Sequence, residues 1–226
     1  MEPIETIEYK GFNILVFPDD DLFESPREWD NLGTMVCCHS RYSLGDKQAK
    51  SGAEAVYNTL LEFGYDQEKL EDQYAENREF VDWGMAEIEE RAVVLPLYLY
   101  DHSGITMSTK PFSCPWDSGQ VGFIYISHED IRKEYGKLWR KKATRLLISE
   151  VEIYDQYLTG EVYGFTIEPL EDTEIECNDS CWGFYGYDYA MKEMVAEAKS
   201  SIDYAIEQHQ KMEAEITQLM TECWAY

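Results

Sequence analysis

Residues 28–42, EWDNLGTMVCCHSRY, gather two thiols, an imidazole, a guanidinium and two carboxylates. A cysteine touching an imidazole that an aspartate orients is a nucleophile. Cys37, Cys38 and His39 supply the first two parts, and Asp101, His102, Cys114 and Asp117 supply a second set further along. Neither cysteine of the pair lies in a catalytic signature. Along a strand Cys37 and Cys38 face opposite sides, so at least one belongs to the core as a small apolar side chain. Zinc is the other chemistry these residues suggest, through Cys37, His39, His102, Cys114, Cys177 and Cys181. Structural zinc sites bring paired ligands two to four residues apart. Only Cys177 and Cys181 approach that spacing and no second pair answers them, so no metal is expected. Asp19, Asp20 and Asp21 lack the glycine and spaced carboxylates of a calcium loop. DSGQVG (117–122) matches neither of the phosphate-cradling glycine patterns. No cofactor is expected.

Two readings of the polar cluster remain. In one, Trp29, Asp30, His39, Arg41, Asp101, His102, Trp116 and Asp117 line a pocket for a nucleotide, with aromatics stacking on the base and Arg41 pairing with phosphate. In the other, the His39 region is structural. Trp29, Leu32, Met35 and Val36 then supply core, while Asp30, Asn31 and Arg41 tie down loops by hydrogen bonds. The second is the expectation for that region.

The elements that must position these groups follow from periodicity. Strands are expected at 7–17, 34–38, 93–101, 119–127, 161–169 and 181–186, the last two as an antiparallel pair joined by an acidic loop. Helices are expected at 51–63, after Ser51 as N-cap, and at 67–91, with Leu70, Tyr74, Val81, Met85 and Ile88 as its apolar stripe. A short helix opens at Ser127 and stops near Gly136. A longer one carries Leu147, Val151, Tyr154 and Leu158 and ends at Gly160. From 188 to 222, Val195, Ala198, Ile202, Ala205, His209, Met212, Ile216, Leu219 and Cys223 alternate by three and four, a heptad seam. That helix either packs on the helix at 138–159 or pairs with a second copy as a homodimer. The expected fold is α+β: a mostly antiparallel sheet covered by helices over 1–186, with the C-terminal helix as a separate element over 187–226.

Charge is the strongest bulk signal. The 226 residues carry 45 Asp and Glu against 19 Lys and Arg, a formal charge of -26. Such a chain repels itself, and its field disfavours direct contact with nucleic acid or an anionic membrane. Aromatic content of 14% argues against a disordered acidic chain. No apolar stretch approaches the roughly 20 residues that span a bilayer. The N-terminus, MEPIETIEYK, lacks the basic start and apolar run of a signal peptide. Scattered cysteines then read as reduced thiols of a cytoplasmic protein. The one basic run, IRKEYGKLWRKKATR (131–145), holds seven of the 19 cations and reads as solvated helix faces.

SPREWDNLGTMVCCHSRYSLGD (25–46) and PLYLYDHSGITMSTKPFSCPWDSGQVGFIYIS (96–127), with YLTGEVYGF (157–165) and DSCWGFYG (179–186), resemble a family of uncharacterised acidic proteins carried by bacteriophages and other mobile elements. The resemblance covers about a third of the chain and assigns no catalytic residue. It implies an accessory protein working in a bacterial host cell. Combined with the charge, it suggests an inhibitor of a host nucleic-acid-binding defence protein. The acidic, DNA-like face would be Glu68, Glu71, Asp72, Glu76, Glu79, Asp82 and Glu87 on the helical stretch after 66. The alternative is a nucleotide-binding protein or enzyme with its site around His39, Arg41, Asp101 and His102.

Overall fold

The computed structural model describes residues 2–20, 24–76, 79–171 and 173–223, with the side chains of Ala75, Glu76 and Cys223 left aside. Asp21 of the acidic turn, the Glu76 carboxylate and the Cys223 end of the seam therefore lie outside the described residues. In chain order the elements are β1 (Glu5–Tyr9), β2 (Phe12–Pro18), β3 (Thr34–Cys37), β4 (Lys47–Gln48), α1 (Gly52–Glu62), α2 (Gln67–Glu76) and α3 (Phe80–Glu89). There follow β5 (Ala92–Asp101), β6 (Ile105–Ser108), β7 (Ser118–Ser127), α4 (His128–Tyr135), α5 (Trp139–Thr159), β8 (Val162–Pro169), β9 (Ser180–Tyr185) and α6 (Tyr187–Cys223). The fold is α+β with mainly antiparallel sheets and a long C-terminal helix; the short β3–β4 pair is parallel. Among the described residues no helix is long and apolar enough to cross a membrane.

The chain divides into two compact units, one made of residues 1–23 and 160–226, the other of 24–159. The division does not fall at 186/187, as the sequence led us to expect. Long-range pairing decides it. β2 runs antiparallel to β8 from Phe12 opposite Pro169 to Pro18 opposite Tyr163, so the two ends of the chain build one sheet, ordered β1-β2-β8-β9. The first half of α6 covers that sheet: Ala190, Met194, Ala198 and Ile202 pack with Phe12, Ile14, Val16, Phe165 and Ile167. Lys10 Nζ and Asp203 close an ion pair at 2.7 Å between the β1–β2 turn and α6. The helix is thus part of this unit's core and not an appendage to a 1–186 domain. Beyond His209 its described side chains are all exposed.

A single strand expected over 7–17 is in fact the β1–β2 hairpin. Lys10 and Gly11 both adopt positive φ, 48° and 86°, between Tyr9 and its partner Phe12. Two such residues make the type I′ turn whose twist matches that of the flanking strands. The turn is only two residues long, Lys10 and Gly11, so no polar loop separates the strands in the sequence.

The unit formed by 24–159 is a five-stranded sheet, ordered β4-β3-β7-β5-β6, with helices on both faces. Alternation along the strands sorts the side chains. Met35, Cys37, Ile124 and Ile126 join Ile131 of α4 and Ala143, Leu147, Val151 and Tyr154 of α5. Val36, Phe123 and Tyr125 join Val56 and Leu60 of α1, Leu70 of α2, and Phe80 and Ile88 of α3. Cys38 packs against this second cluster, so the paired cysteines do face opposite sides.

The helix expected over 67–91 is two helices, and its stripe is only partly the expected one. Leu70 and Ile88 are buried, but Tyr74 and Val81 are exposed, and the buried face of α3 is Phe80, Gly84 and Ile88. Gly84 is what lets α3 lie close to α1: a Cβ there would stand 2.2 Å from Val56 Cγ1. A glycine carries no hydrophobic weight in a periodicity count, so the buried face is read one position off. Gly84→Ala should therefore lose about 1–3 kcal/mol to overpacking, despite alanine's helix preference of about 1 kcal/mol over glycine. Adding Val56→Ala should make the double variant more stable than Gly84→Ala alone, measured by urea denaturation; strict additivity of the two changes would contradict the close crossing.

Candidate functional site

Sheet registry in the 24–159 unit brings most of the sequence-predicted polar residues together. β5 pairs with β7 to Tyr100 opposite Ser118, and just beyond, Asp101 N donates to Asp117 O at 2.8 Å. Asp101, His102, Cys114 and Asp117 therefore collect at one sheet corner, although up to sixteen positions separate them in sequence. His102 Nδ1 lies 3.4 Å from Asp117 Oδ2, and Cys114 Sγ donates to the same oxygen at 3.7 Å. The segment after β3 reaches this corner too. Arg41 Nη2 pairs closely with Asp101 Oδ2, and Tyr42 OH donates to Asp101 Oδ1 at 3.4 Å. His39 Nδ1 accepts from Arg41 N (3.3 Å) and Tyr42 N (3.2 Å), and its ring stacks on Tyr42 with centroids 5.0 Å apart. Set beside known proteins, the chain matches no family model, no curated protein and no solved structure.

The geometry of this corner is that of a tied loop. His39 spends a ring nitrogen on backbone N–H groups, and Asp101 already neutralises the guanidinium that a phosphate would need. Burial, then the neighbouring Cys38 and Asp46, push the Cys37 thiol up to about 12. Burial followed by Glu54 raises Cys38 as well. A thiol protonated at neutral pH is a poor nucleophile. Among the described residues no group of three or more His, Cys, Asp or Glu is placed to hold a metal ion. Trp29 is 46% exposed and so is not the core residue expected, while Asp30 is exposed and Trp116 is 92% exposed. Asn31 behaves as expected, donating through Nδ2 to Pro26 O (2.7 Å) and Trp29 O (3.1 Å).

Among the described residues of the unit, the most heavily bonded polar side chain is one that the sequence did not single out. The Arg27 side chain is 4% exposed and makes two bonds to Asp46, Nε to Oδ1 (2.9 Å) and Nη2 to Oδ2 (2.7 Å). Its Nη1 donates to Glu150 Oε2 at 2.9 Å and its Nη2 to Gly33 O at 2.6 Å. The carboxylates are in turn bound to backbone: Glu150 Oε1 accepts from Leu32 N and Gly33 N, and Asp46 Oδ2 from Met35 N. Desolvation lowers the affinity of Arg27 for its proton, but its bonds to Asp46 and Glu150 more than offset this and hold it charged. Gly33 suits this closeness: a Cβ there would stand 2.6 Å from Leu147 Cδ2 and 2.7 Å from Glu150 Oε2, so that one or both side chains would have to shift. One signal did exist. Glu150 sits inside the apolar stripe formed by Leu147, Val151 and Tyr154, and a charge on a buried face demands a partner.

The acidic face is only partly as expected. Glu68, Glu71 and Asp72 on α2, and Glu79 and Asp82 at the start of α3, are exposed. Glu71 accepts from Gln67 Nε2 at 2.8 Å and from Tyr57 OH at 3.5 Å. Glu87 does not belong to the face. It is half-buried, accepts from Tyr65 OH and pairs with Arg91 at 3.1 Å; burial, followed by the bond to Glu87, pushes the Tyr65 hydroxyl up to about 12. Its position next to Ile88 turns it toward Tyr65 and away from the exposed row. In the basic run, the Trp139 ring lies 4.8 Å from the Arg132 guanidinium and 5.0 Å from that of Arg140.

Two outcomes test this account. Arg27→Met should cost about 3–5 kcal/mol, because it strands buried carboxylates without a cation. Adding Glu150→Gln should recover part of the loss, since the amide oxygen still accepts from Leu32 and Gly33. Denaturation midpoints equal to wild type for Arg27→Met would remove the network from any structural role. Alkylation at pH 8, read by peptide mapping, should leave Cys37 unmodified in the folded protein and label it once urea unfolds the chain.

Proposed function

We propose that this protein acts by binding another protein through the carboxylates of α2 and α3, as a phage or mobile-element accessory protein that blocks a host nucleic-acid-binding protein in the bacterial cytoplasm. The observation that carries this reading is that Glu68, Asp72 and Asp82 are exposed and, among the described residues, take no cation as partner, on a chain of formal charge -26. Carboxylates three or four positions apart on a helix stand about 5–6 Å from one another at Cβ. A row of such charges on packed helices is preorganised, which limits the entropy lost on binding a Lys- and Arg-lined groove. It also draws a basic partner in from solution. Proteins that hold duplex DNA meet about one phosphate per 1.7 Å of axis with such grooves, and an acidic protein face competes for the same cations.

The nucleotide-pocket reading loses its main support in the pairing of Arg41 with Asp101 and in the use of His39 as a backbone acceptor. The proposed face is tested by Glu68→Lys, Asp72→Lys and Asp82→Lys together. These side chains are exposed, so the expected cost to stability is about 0.5 kcal/mol or less each. Capture of nucleic-acid-binding proteins from a bacterial lysate at low salt, read by quantitative mass spectrometry, should fall steeply in the triple variant. Wild-type capture should fade as salt is raised, because exposed charges are screened over about 10 Å at 0.1 M. Equal capture by wild type and variant at low salt would rule this face out.

A further inference from the structure

The heptad seam of α6 meets two fates along one helix. Ala198 and Ile202 are buried on the β1-β2-β8-β9 sheet, with Met194 in the place expected of Val195, whereas Met212, Ile216 and Leu219, and Met220 beside them, are 52%, 49%, 62% and 57% exposed. From His209 to the end of α6 the helix rises for about 20 Å at about 1.5 Å per residue. An isolated helix of this length is marginal in water, but this one is continuous with the packed segment that ends at Ile206. It is a preformed arm with an apolar edge.

The residues beside that edge say what would cover it. With His209, Met212, Ile216 and Leu219 as the a and d positions, the flanking e and g positions are Gln208, Glu213, Glu215, Met220 and Glu222. Lys211 lies on the outer face and is already paired with Glu207 at 2.7 Å. Two copies paired in parallel would set Gln208 against Glu213 and Glu215 against Met220. Paired antiparallel they would set Glu215 against Glu215. Neither arrangement gives a carboxylate a cation, and each copy brings a formal charge of -26. We propose that the outer half of α6 is a docking arm for an amphipathic helix of a different protein, one whose apolar seam is flanked by Lys and Arg. Such a helix covers Met212, Ile216 and Leu219 while its cations meet Glu213, Glu215 and Glu222. This assignment does not depend on the reading of the α2–α3 face, and it gives the chain a second, separately testable contact.

The test uses the full-length protein and two designed three-heptad peptides with the same Ile/Leu seam, one carrying Lys at every e and g position and the other Glu. Fluorescence anisotropy at low salt should show the Lys peptide binding about tenfold or more tighter than the Glu peptide, because its flanking cations meet the e and g carboxylates where the Glu peptide meets them with like charge. Ile216→Ser with Leu219→Ser should abolish binding. Glu213→Lys, Glu215→Lys and Glu222→Lys together keep the seam and the helix, and should reverse the preference toward the Glu peptide. Equal binding of both peptides, no binding of either, or a preference unchanged by the charge reversal would overturn the assignment. So would a sedimentation measurement showing a wild-type dimer that the double serine variant converts to monomer, since the seam would then belong to a second copy.

Discussion

Arg27 is the point on which the 24–159 unit is assembled. One guanidinium, almost fully removed from water, reaches carboxylates from the loop before β4 and from α5, and a carbonyl just before β3. The two carboxylates pass the constraint on to backbone N–H groups at Leu32, Gly33 and Met35. The 3-10 turn at Pro26–Glu28, the start of β3, the Asp46 loop and the middle of α5 thereby acquire fixed relative positions. An apolar contact at the same place would tolerate sliding; a set of directional bonds to buried charges does not. The network need not add net stability over a well-packed apolar cluster to do this, because its effect is on which arrangement forms.

From that anchor, β3 is held against β7, and the chain leaving β3 carries His39, Arg41 and Tyr42 to the corner where β5 ends and β7 begins. The corner gathers groups that could do chemistry but arranges them to satisfy one another. Arg41 and Asp101 neutralise each other's charge, Cys114 and His102 share Asp117, and the Cys37 thiol lies in the helix-covered core. The unspent charge lies elsewhere in the unit, on the outer surface of α2 and α3. Those helices can carry it because their inner faces are held by Leu70, Phe80 and Ile88 against Val36, Phe123 and Tyr125.

The flanking unit follows a different logic. Its core is a four-stranded sheet assembled from both ends of the chain and sealed by small and medium side chains of α6, with Ala190 and Ala198 letting the helix sit low on the strands. That helix continues well past its last buried residue, Ile202, so one helix serves as core at one end and as exposed edge at the other. The packing uses Ala190 to Ile206, which leaves the seam beyond His209, with its Glu borders, open to a partner.

Much of this was legible in the residues alone. The α+β class, the strands ending in β5 and β7, the β8–β9 pair, the Ser51 and Ser127 caps and the length of α6 all follow from local periodicity and capping chemistry, which act within a few turns of chain. The opposite facings of Cys37 and Cys38 follow from the two-residue period of a strand. What the tertiary structure alone decided are relations across long sequence distance. These are the pairing of β2 with β8 that divides the chain at 23/24 and 159/160, the bonds from Arg27 to Asp46 and Glu150, and the turning of Glu87 inward to Tyr65 and Arg91. A carboxylate reads the same in sequence whether it faces water or a buried guanidinium. Only the packing of distant segments sets the desolvation and the hydrogen bonds that tell the two apart.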